Sequence, residues 1–257
     1  MRPHALADGL RLAITTFTVV PARTGRIDRA AATVAMSLAA GVGVALGVAT
    51  GGLGLLMRYA DAPLPLAAVA VVAAWALLTR GLHLDGLADT VDALGSYAGK
   101  ERALEIMKRP DVGPFGVAAL VLVLLAQVTA ITRVLERSPV AVLAGLAVAA
   151  GTGRAAATWA CRRGVPAARP GGLGALVAGT VPPLAALTAT VVLAAGALLA
   201  VPERPWLGPV AVVVALGVVA LLLRHARRRL GGVTGDLLGA AVEVATTITL
   251  VGFALSP

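Results

Sequence analysis

Three aspartates, Asp85, Asp89 and Asp92, recur at i, i+4 and i+7 in the segment GLHLDGLADTVDALG. On a helix turning about 100° per residue they fall within a sector of about 60°. Carboxylates crowded on one narrow face repel one another unless a cation neutralises them. Hard oxygen ligands at this spacing suit Mg2+, with substrate phosphate oxygens and water completing the shell. Leu84, Leu87, Ala88, Val91 and Leu94 surround the acids with apolar residues, which argues against a merely solvated acidic face. His83 lies about 160° round the same helix, so it is expected outside the metal site, in a structural or substrate-orienting role.

Two further segments carry ionisable groups in informative patterns. In KERALEIMKRPDVGPFG, Glu101, Glu105 and Lys108 follow helical spacing beside Leu104, Ile106 and Met107, which predicts a short interfacial helix ended by Pro110. Lys108 and Arg109 then precede flexible backbone at Gly113, a combination that can hold phosphates. Asp111 stands beside them, and Pro114 fits the first position of the next helix. In RRRLGGVTGDLLGAAVE, Asp236 and Glu243 are seven residues apart and share a face. Glu243 lies inside an apolar run, where an acid is costly and usually functional. Gly231, Gly232 and Gly235 let backbone approach a ligand closely. Arg154, in GTGRAAATW, is likewise a charge inside an apolar run and needs an acidic partner or a phosphate. The Gly-rich AARPGGLG, Ala167 to Gly174, reads as an ordinary turn. Acids for a metal and bases for phosphate are the ingredients of phosphoryl or nucleotidyl transfer.

The elements that must position these groups are membrane spans. The chain has 257 residues, 58% of them hydrophobic and 14% charged, with a mean hydropathy of +0.90. Soluble domains carry about 25% charged residues. Here charges cluster between long apolar runs, the pattern of an all-α, polytopic integral membrane bundle. Seven spans are expected, over roughly 31–57, 63–79, 115–135, 139–160, 174–201, 206–223 and 237–255, forming one catalytic domain over 1–257. The longest polar excursion, 80–114, is the expected active-site loop, with 231–243 as its second motif. Of the 22 Lys and Arg, only Arg58, Arg133, Arg137 and Arg204 fall on the side opposite the N-terminus, and Arg154 lies within a span. Basic residues are retained inside, so the N-terminus and the acidic motifs are expected in the cytoplasm and the C-terminus outside. The same rule accounts for the net charge of +9 without nucleic acid, since no RNA- or DNA-binding module pattern is present. The single Cys161 excludes an intramolecular disulfide.

Three motifs, GLHLDGLADTVDALG, ALEIMKRPDVGPFG and GGVTGDLLGA with Glu243, resemble the adenosylcobinamide-GDP ribazoletransferase (cobalamin synthase) family. FTVVP (Phe17 to Pro21) and ARPGGLG fit in order and spacing, so the resemblance covers essentially the whole chain. It implies a Mg2+-dependent enzyme of the bacterial inner membrane. Such an enzyme joins adenosylcobinamide-GDP to α-ribazole or its 5′-phosphate, through the ribazole 5′ oxygen, and releases GMP. Carried over, Asp85, Asp89, Asp92 and Asp236 are the catalytic acids and metal ligands, with Asp111 and Glu243 as additional ligand candidates. Arg80, His83, Lys108, Arg109, Arg154, Gly232, Thr234 and Gly235 would bind substrate and its phosphates. Membrane lipids surround such a chain, and the resemblance leaves room for a homo-oligomer. The family often has an acid directly after the lysine, where this chain has Arg109 and Pro110 before Asp111. Two other readings use similar residues. A CDP-alcohol phosphotransferase also uses Asp-rich helices and Mg2+, but the arginine of its Asp-Gly-x-x-Ala-Arg motif is missing after Asp85-Gly86. A corrinoid transporter would be expected to show paired repeats, and none is visible.

Overall fold

Eleven helices are present among the described residues of the computed structural model, which are 5–23 and 25–255. They are α1 (Ala5–Phe17), α2 (Arg29–Tyr59), α3 (Leu64–Leu78), α4 (Leu82–Gly95), α5 (Lys100–Ile106), α6 (Pro114–Leu135), α7 (Pro139–Ala160), α8 (Gly172–Val177), α9 (Pro183–Ala197), α10 (Leu207–Leu230) and α11 (Gly235–Ala254). Their composition explains them. Ala, Leu and Val runs satisfy every backbone group within the helix, which a bilayer demands. Breaks fall at Gly and Pro, with Pro in the first turn of α3, α6, α7 and α9.

Helix α7 forms the axis of the bundle, and α2 and α11 pack on it through small residues. A Cβ on Gly43 of α2 would lie 2.9 Å from the Ala150 carbonyl carbon, and one on Gly153 of α7 would lie 2.9 Å from the Val242 carbonyl oxygen of α11. With no hydrophobic force between helices in lipid, such close backbone approach supplies the packing energy. Helices α6 and α10 turn Val121, Leu122, Leu125, Val213, Val214 and Leu221 outward, which suits contact with lipid tails.

The expected spans correspond to α2, α3, α6, α7, α9, α10 and α11, with corrections. Five of them, α2, α6, α7, α10 and α11, are long and apolar enough to cross a bilayer alone. Helices α3 and α9 have only 15 residues each, about 22 Å against a hydrocarbon core of about 30 Å. The run 174–201 is not one span. It contains α8, a left-handed turn at Gly179 (φ +70) and the Pro182–Pro183 pair before α9 begins. Helix α10 runs past 223 to Leu230, because Arg224 to Arg229 are good helix formers that extend it beyond its apolar part.

Helices α3 and α4 meet at 87°. The elbow uses two successive left-handed residues, Arg80 (φ +57) and Gly81 (φ +66). Helix α4 therefore does not continue the span of α3. Helix α1 braces this elbow: Val19 N–H donates to Leu78 O (2.7 Å) and Arg80 Nη2 to Thr15 O (2.9 Å).

At the end of the bundle away from α4, two arginines are consumed by structure. Arg58 donates to Leu135 O (2.7 Å) and Arg137 O (2.6 Å), and Arg137 to Ala200 O (2.9 Å) and Phe253 O (2.6 Å). Each caps carbonyls that a helix end leaves without partners.

Candidate active site

The site is made where α4 crosses α11. Gly86 and Gly239 form the crossing point. A Cβ on Gly86 would lie 2.6 Å from Asp236 O and 3.0 Å from its Cα, and one on Gly239 would lie 3.2 Å from the Cα atoms of both Gly86 and His83. The two helices touch backbone to backbone, and this contact carries Asp85 and Asp89 of α4 to Asp236 of α11. Gly86 of HLDGLAD and Gly239 of TGDLLGA thus serve the approach of helix to helix.

The third motif closes the site from above. Ala168 N–H donates to Val233 O (3.0 Å) and Val233 N–H to Pro166 O (2.9 Å), a short parallel bridge that straps the 165–171 loop to the start of α11. Gly232 has no room for a side chain, since a Cβ there would lie 2.5 Å from Ala168 N. It approaches this loop, rather than a ligand as the sequence suggests. Thr234 is the N-cap of α11, its hydroxyl accepting from Leu237 N–H (3.1 Å). Asp236 stands in the first turn, where the helix dipole favours a negative charge.

A cavity of about 170 Å³ opens here. Asp85, Asp236, His83, Gly235 and Gly239 line it, with Thr16 and Phe17 from α1 and Arg169 and Leu173 from the Gly-rich loop. His83 is one of these lining residues. Although it projects away from the carboxylate face, it is buried at the crossing, stacks on Phe17 at 6.0 Å between ring centroids, and lines the same cavity as Asp85. Burial holds the imidazole neutral, and the Arg154 cation adds to the effect. Phe17, the first residue of FTVVP, is therefore part of the wall of the site.

Asp89, half-buried one turn beyond Asp85, is pushed up to about 7 from an ordinary 3.8. Burial is the largest cause, followed by repulsion from Asp85, Asp236 and Asp92, and Arg169 opposes it. The carboxylates thus interact electrostatically, as their spacing suggests. Among the described residues, however, no three His, Cys, Asp or Glu side chains enclose a position for a metal ion by themselves.

Asp92 points elsewhere. Its Oδ2 accepts from Gly113 N–H (2.7 Å) and its Oδ1 from Gly116 N–H (2.9 Å), so the carboxylate caps the N-terminus of α6. A Cβ on Gly113 would lie 2.5 Å from Asp92 Oδ1. The two glycines of DVGPFG are required by this cap. Asp92→Ala is expected to destabilise the protein by about 1.5–3 kcal/mol through lost charge-assisted bonds. Chemical unfolding of the purified protein in detergent measures it, and an unchanged midpoint would show the cap to be dispensable.

Several other residues expected at the site lie outside the cavity. Lys108, Arg109 and Asp111 are exposed on the segment after α5 and do not line it. Arg80 is held by Thr15 O. Arg154 is buried within α7 and lines a separate crevice with Glu243, Gln127 and Trp75. Glu243 accepts from Gln127 Nε2 (2.8 Å). These two charges inside the membrane share a polar interior rather than reaching the aspartates. One residue that the sequence reading passed over is at the centre: Arg169 Nη2 lies 3.1 Å from Asp236 Oδ2. Its signal was available as a basic residue directly before Pro170 and the glycines of ARPGGLG.

Comparison with known proteins places the chain as a whole. The family described as cobalamin-5-phosphate synthase matches residues 9–254. A protein of Frankia casuarinae named adenosylcobinamide-GDP ribazoletransferase is 43% identical over 266 aligned positions, covering 96% of this chain and 94% of its own. Proteins of the same name from Corynebacterium efficiens (39% identical, 96% and 91% covered) and a Nocardioides species (38% identical, 97% and 99% covered) are similar along their lengths. No solved structure matches the chain.

Proposed function

The chain belongs to the cobalamin-5-phosphate synthase family, and we propose that it transfers the adenosylcobinamide phosphate of adenosylcobinamide-GDP to α-ribazole or α-ribazole 5′-phosphate, releasing GMP. The match favours neither a lipid phosphotransferase nor a transporter. One observation carries the reading to particular residues: the motifs of α4 and α11 converge on one cavity with Asp85 and Asp236 in its wall.

The family description also corrects the choice of nucleophile. A product that keeps a 5-phosphate leaves the 5′ oxygen occupied. Another ribose hydroxyl must therefore attack the phosphorus bonded to cobinamide. The new P–O bond forms as the bond to the GMP oxygen breaks, and the hydroxyl proton passes to a base. In this reading the base is Asp89, one turn beyond Asp85 on the same carboxylate face and just outside the residues that line the cavity, with its carboxyl pushed up to about 7. His83, neutral and stacked on Phe17, orients substrate in the wall of the cavity.

Mg2+ fits the donor set in one form. Such an ion usually takes one or two carboxylates, and substrate oxygens and water complete its shell. Asp85 and Asp236, which line one cavity, would be that pair. When bound, the ion neutralises charge on the diphosphate and on the departing GMP. Asp92 supports the site by anchoring α6 to α4.

This reading places the cavity on the cytoplasmic side of the bacterial inner membrane. Most Lys and Arg flank the helix ends that carry it, and the few at the opposite end include Arg58 and Arg137, which are tied to carbonyls. The test is an assay of isolated membranes with adenosylcobinamide-GDP and α-ribazole, with Mg2+ or with EDTA. Cobalamin and GMP are expected to form in equal amounts with Mg2+ and to fall to background with EDTA. No product under either condition would overturn the reading.

A further inference from the structure

The cavity that receives a diphosphate needs a cation, and the basic residues expected to supply one lie elsewhere. Arg154 is buried in a different crevice, and Lys108 and Arg109 are exposed beyond the cavity. Among the described residues, Arg169 is the one Lys or Arg that lines it. Its position is fixed by backbone. The loop that carries it is strapped to Val233 through Ala168 N–H and Pro166 O. Gly174 seals the same loop to the start of α11, where a Cβ would lie 2.9 Å from both Thr234 Cα and Val233 O.

The guanidinium is only half used. Nη2 is within hydrogen-bonding distance of Asp236 Oδ2 at 3.1 Å, whereas Nη1 is buried without a partner among the described residues. An unpaired N–H of a buried cation is costly, and such a group persists where a ligand completes it. His83 Nδ1 is a second buried nitrogen at the same cavity without a partner among the described residues. The side chains of Arg169 and Asp236 are 24% and 22% exposed, so the pair is accessible from the cavity yet shielded from bulk water. A planar fork of donors suits phosphate oxygens better than a point charge does.

We propose that Arg169 binds the diphosphate of the nucleotide-activated substrate, and that its ion pair with Asp236 is a latch which the diphosphate and the cation open together. In the free site the guanidinium shields Asp236 from Asp85 and Asp89. When a phosphate oxygen takes the guanidinium, Asp236 is released to the cation. Phosphate affinity and cation affinity are then coupled, each raising the other. The inference rests on the functional reading above for the identity of the nucleotide, but the diphosphate chemistry can be tested without turnover.

The test measures binding of GDP and inorganic pyrophosphate to the purified protein by calorimetry, with guanosine as the ligand that lacks phosphate. Arg169→Ala is expected to weaken GDP and pyrophosphate about 10- to 100-fold and to leave guanosine unchanged. Asp236→Ala in EDTA is expected to bind pyrophosphate more tightly than wild type, because the competing carboxylate is gone. A merely structural arginine would not give these opposite shifts. If Arg169→Ala does not fold, Arg169→Lys, which keeps the charge but loses the fork, is expected to bind pyrophosphate several-fold more weakly than wild type. Equal pyrophosphate affinity in wild type, the Arg169 variant that folds and Asp236→Ala overturns the latch. A wild-type protein that forms no cobalamin but binds pyrophosphate in an Arg169-dependent way overturns the functional reading and leaves this inference standing.

Discussion

Asp89→Asn is expected to lower turnover by about 10²- to 10⁴-fold, the usual cost of losing a general base, while raising the stability of the metal-free protein above pH 7. The two effects have one cause. Asp89 sits among Asp85, Asp92 and Asp236 in a partly buried position that pushes its carboxyl up to about 7 from 3.8. Below about pH 4 the group is protonated in both the folded and the unfolded chain, and it costs nothing. Between about pH 4 and 7 the unfolded chain gives up the proton more readily than the folded one, so stability falls as pH rises. Above about 7 the folded state carries the whole penalty of a repelled charge. Asparagine keeps the shape and removes the charge. In EDTA, thermal unfolding of wild type and variant is therefore expected to differ little at pH 4 and to favour the variant at pH 8. Added Mg2+ should narrow the gap, because a cation beside the carboxylates offsets their repulsion. A variant that turns over within about threefold of wild type would remove Asp89 from the chemistry. One that is less stable than wild type at pH 8 would show that its charge is not under strain.

This carboxylate cluster was the most legible part of the molecule, because i, i+4, i+7 spacing needs only the helical repeat. Spacing could place three aspartates on one face, but not say what each one meets. Asp92 finds its partners at Gly113 and Gly116, after the chain has passed through α5 and turned into α6. That contact is tertiary, and nothing in DTVDALG distinguishes a capping acid from a ligand. For His83 the wheel left two roles open, for the complementary reason. A wheel assumes an isolated helix, whereas the cavity wraps round the first turn of α4 between α1 and α11. The spans were legible where apolar runs were uninterrupted, as in α6 and α7. Composition alone misread 174–201, where a left-handed glycine and two prolines divide an otherwise apolar stretch. The basic residues were harder still. Lys108 and Arg109 look suited to phosphate in sequence because they are adjacent, yet they are exposed beyond the cavity. Arg169 looks like part of a turn, and its value comes from a strap between two loops more than 60 residues apart.

The glycines of the last motif were read as letting backbone approach a ligand, but at the crossing the approach is of helix to helix, and Gly86 makes the sharpest test of that. Gly86→Val is expected to reduce turnover at least about 100-fold and to destabilise the protein by about 1–3 kcal/mol. The first atom added, Cβ, would already lie 2.6 Å from Asp236 O and 3.0 Å from Asp236 Cα. Both are backbone atoms in the first turn of α11 and have no rotamer with which to move aside. The remaining response is for α4 and α11 to separate, and separation carries Asp85 and Asp89 away from Asp236. A displacement of about 1 Å between groups that must hold one substrate costs about two orders of magnitude in rate. Binding separates this from general misfolding. A folded Gly86→Val protein should lose the cooperation between Mg2+ and pyrophosphate, since the carboxylates on the two helices no longer face one cation. Gly52→Ala on α2 is the matched control. A Cβ there meets nothing within 4 Å, so activity should be unchanged and the helix slightly favoured. If Gly86→Val turns over like wild type, the crossing of α4 and α11 is looser than its backbone contacts imply, and the site must be assembled by substrate instead of by the fold.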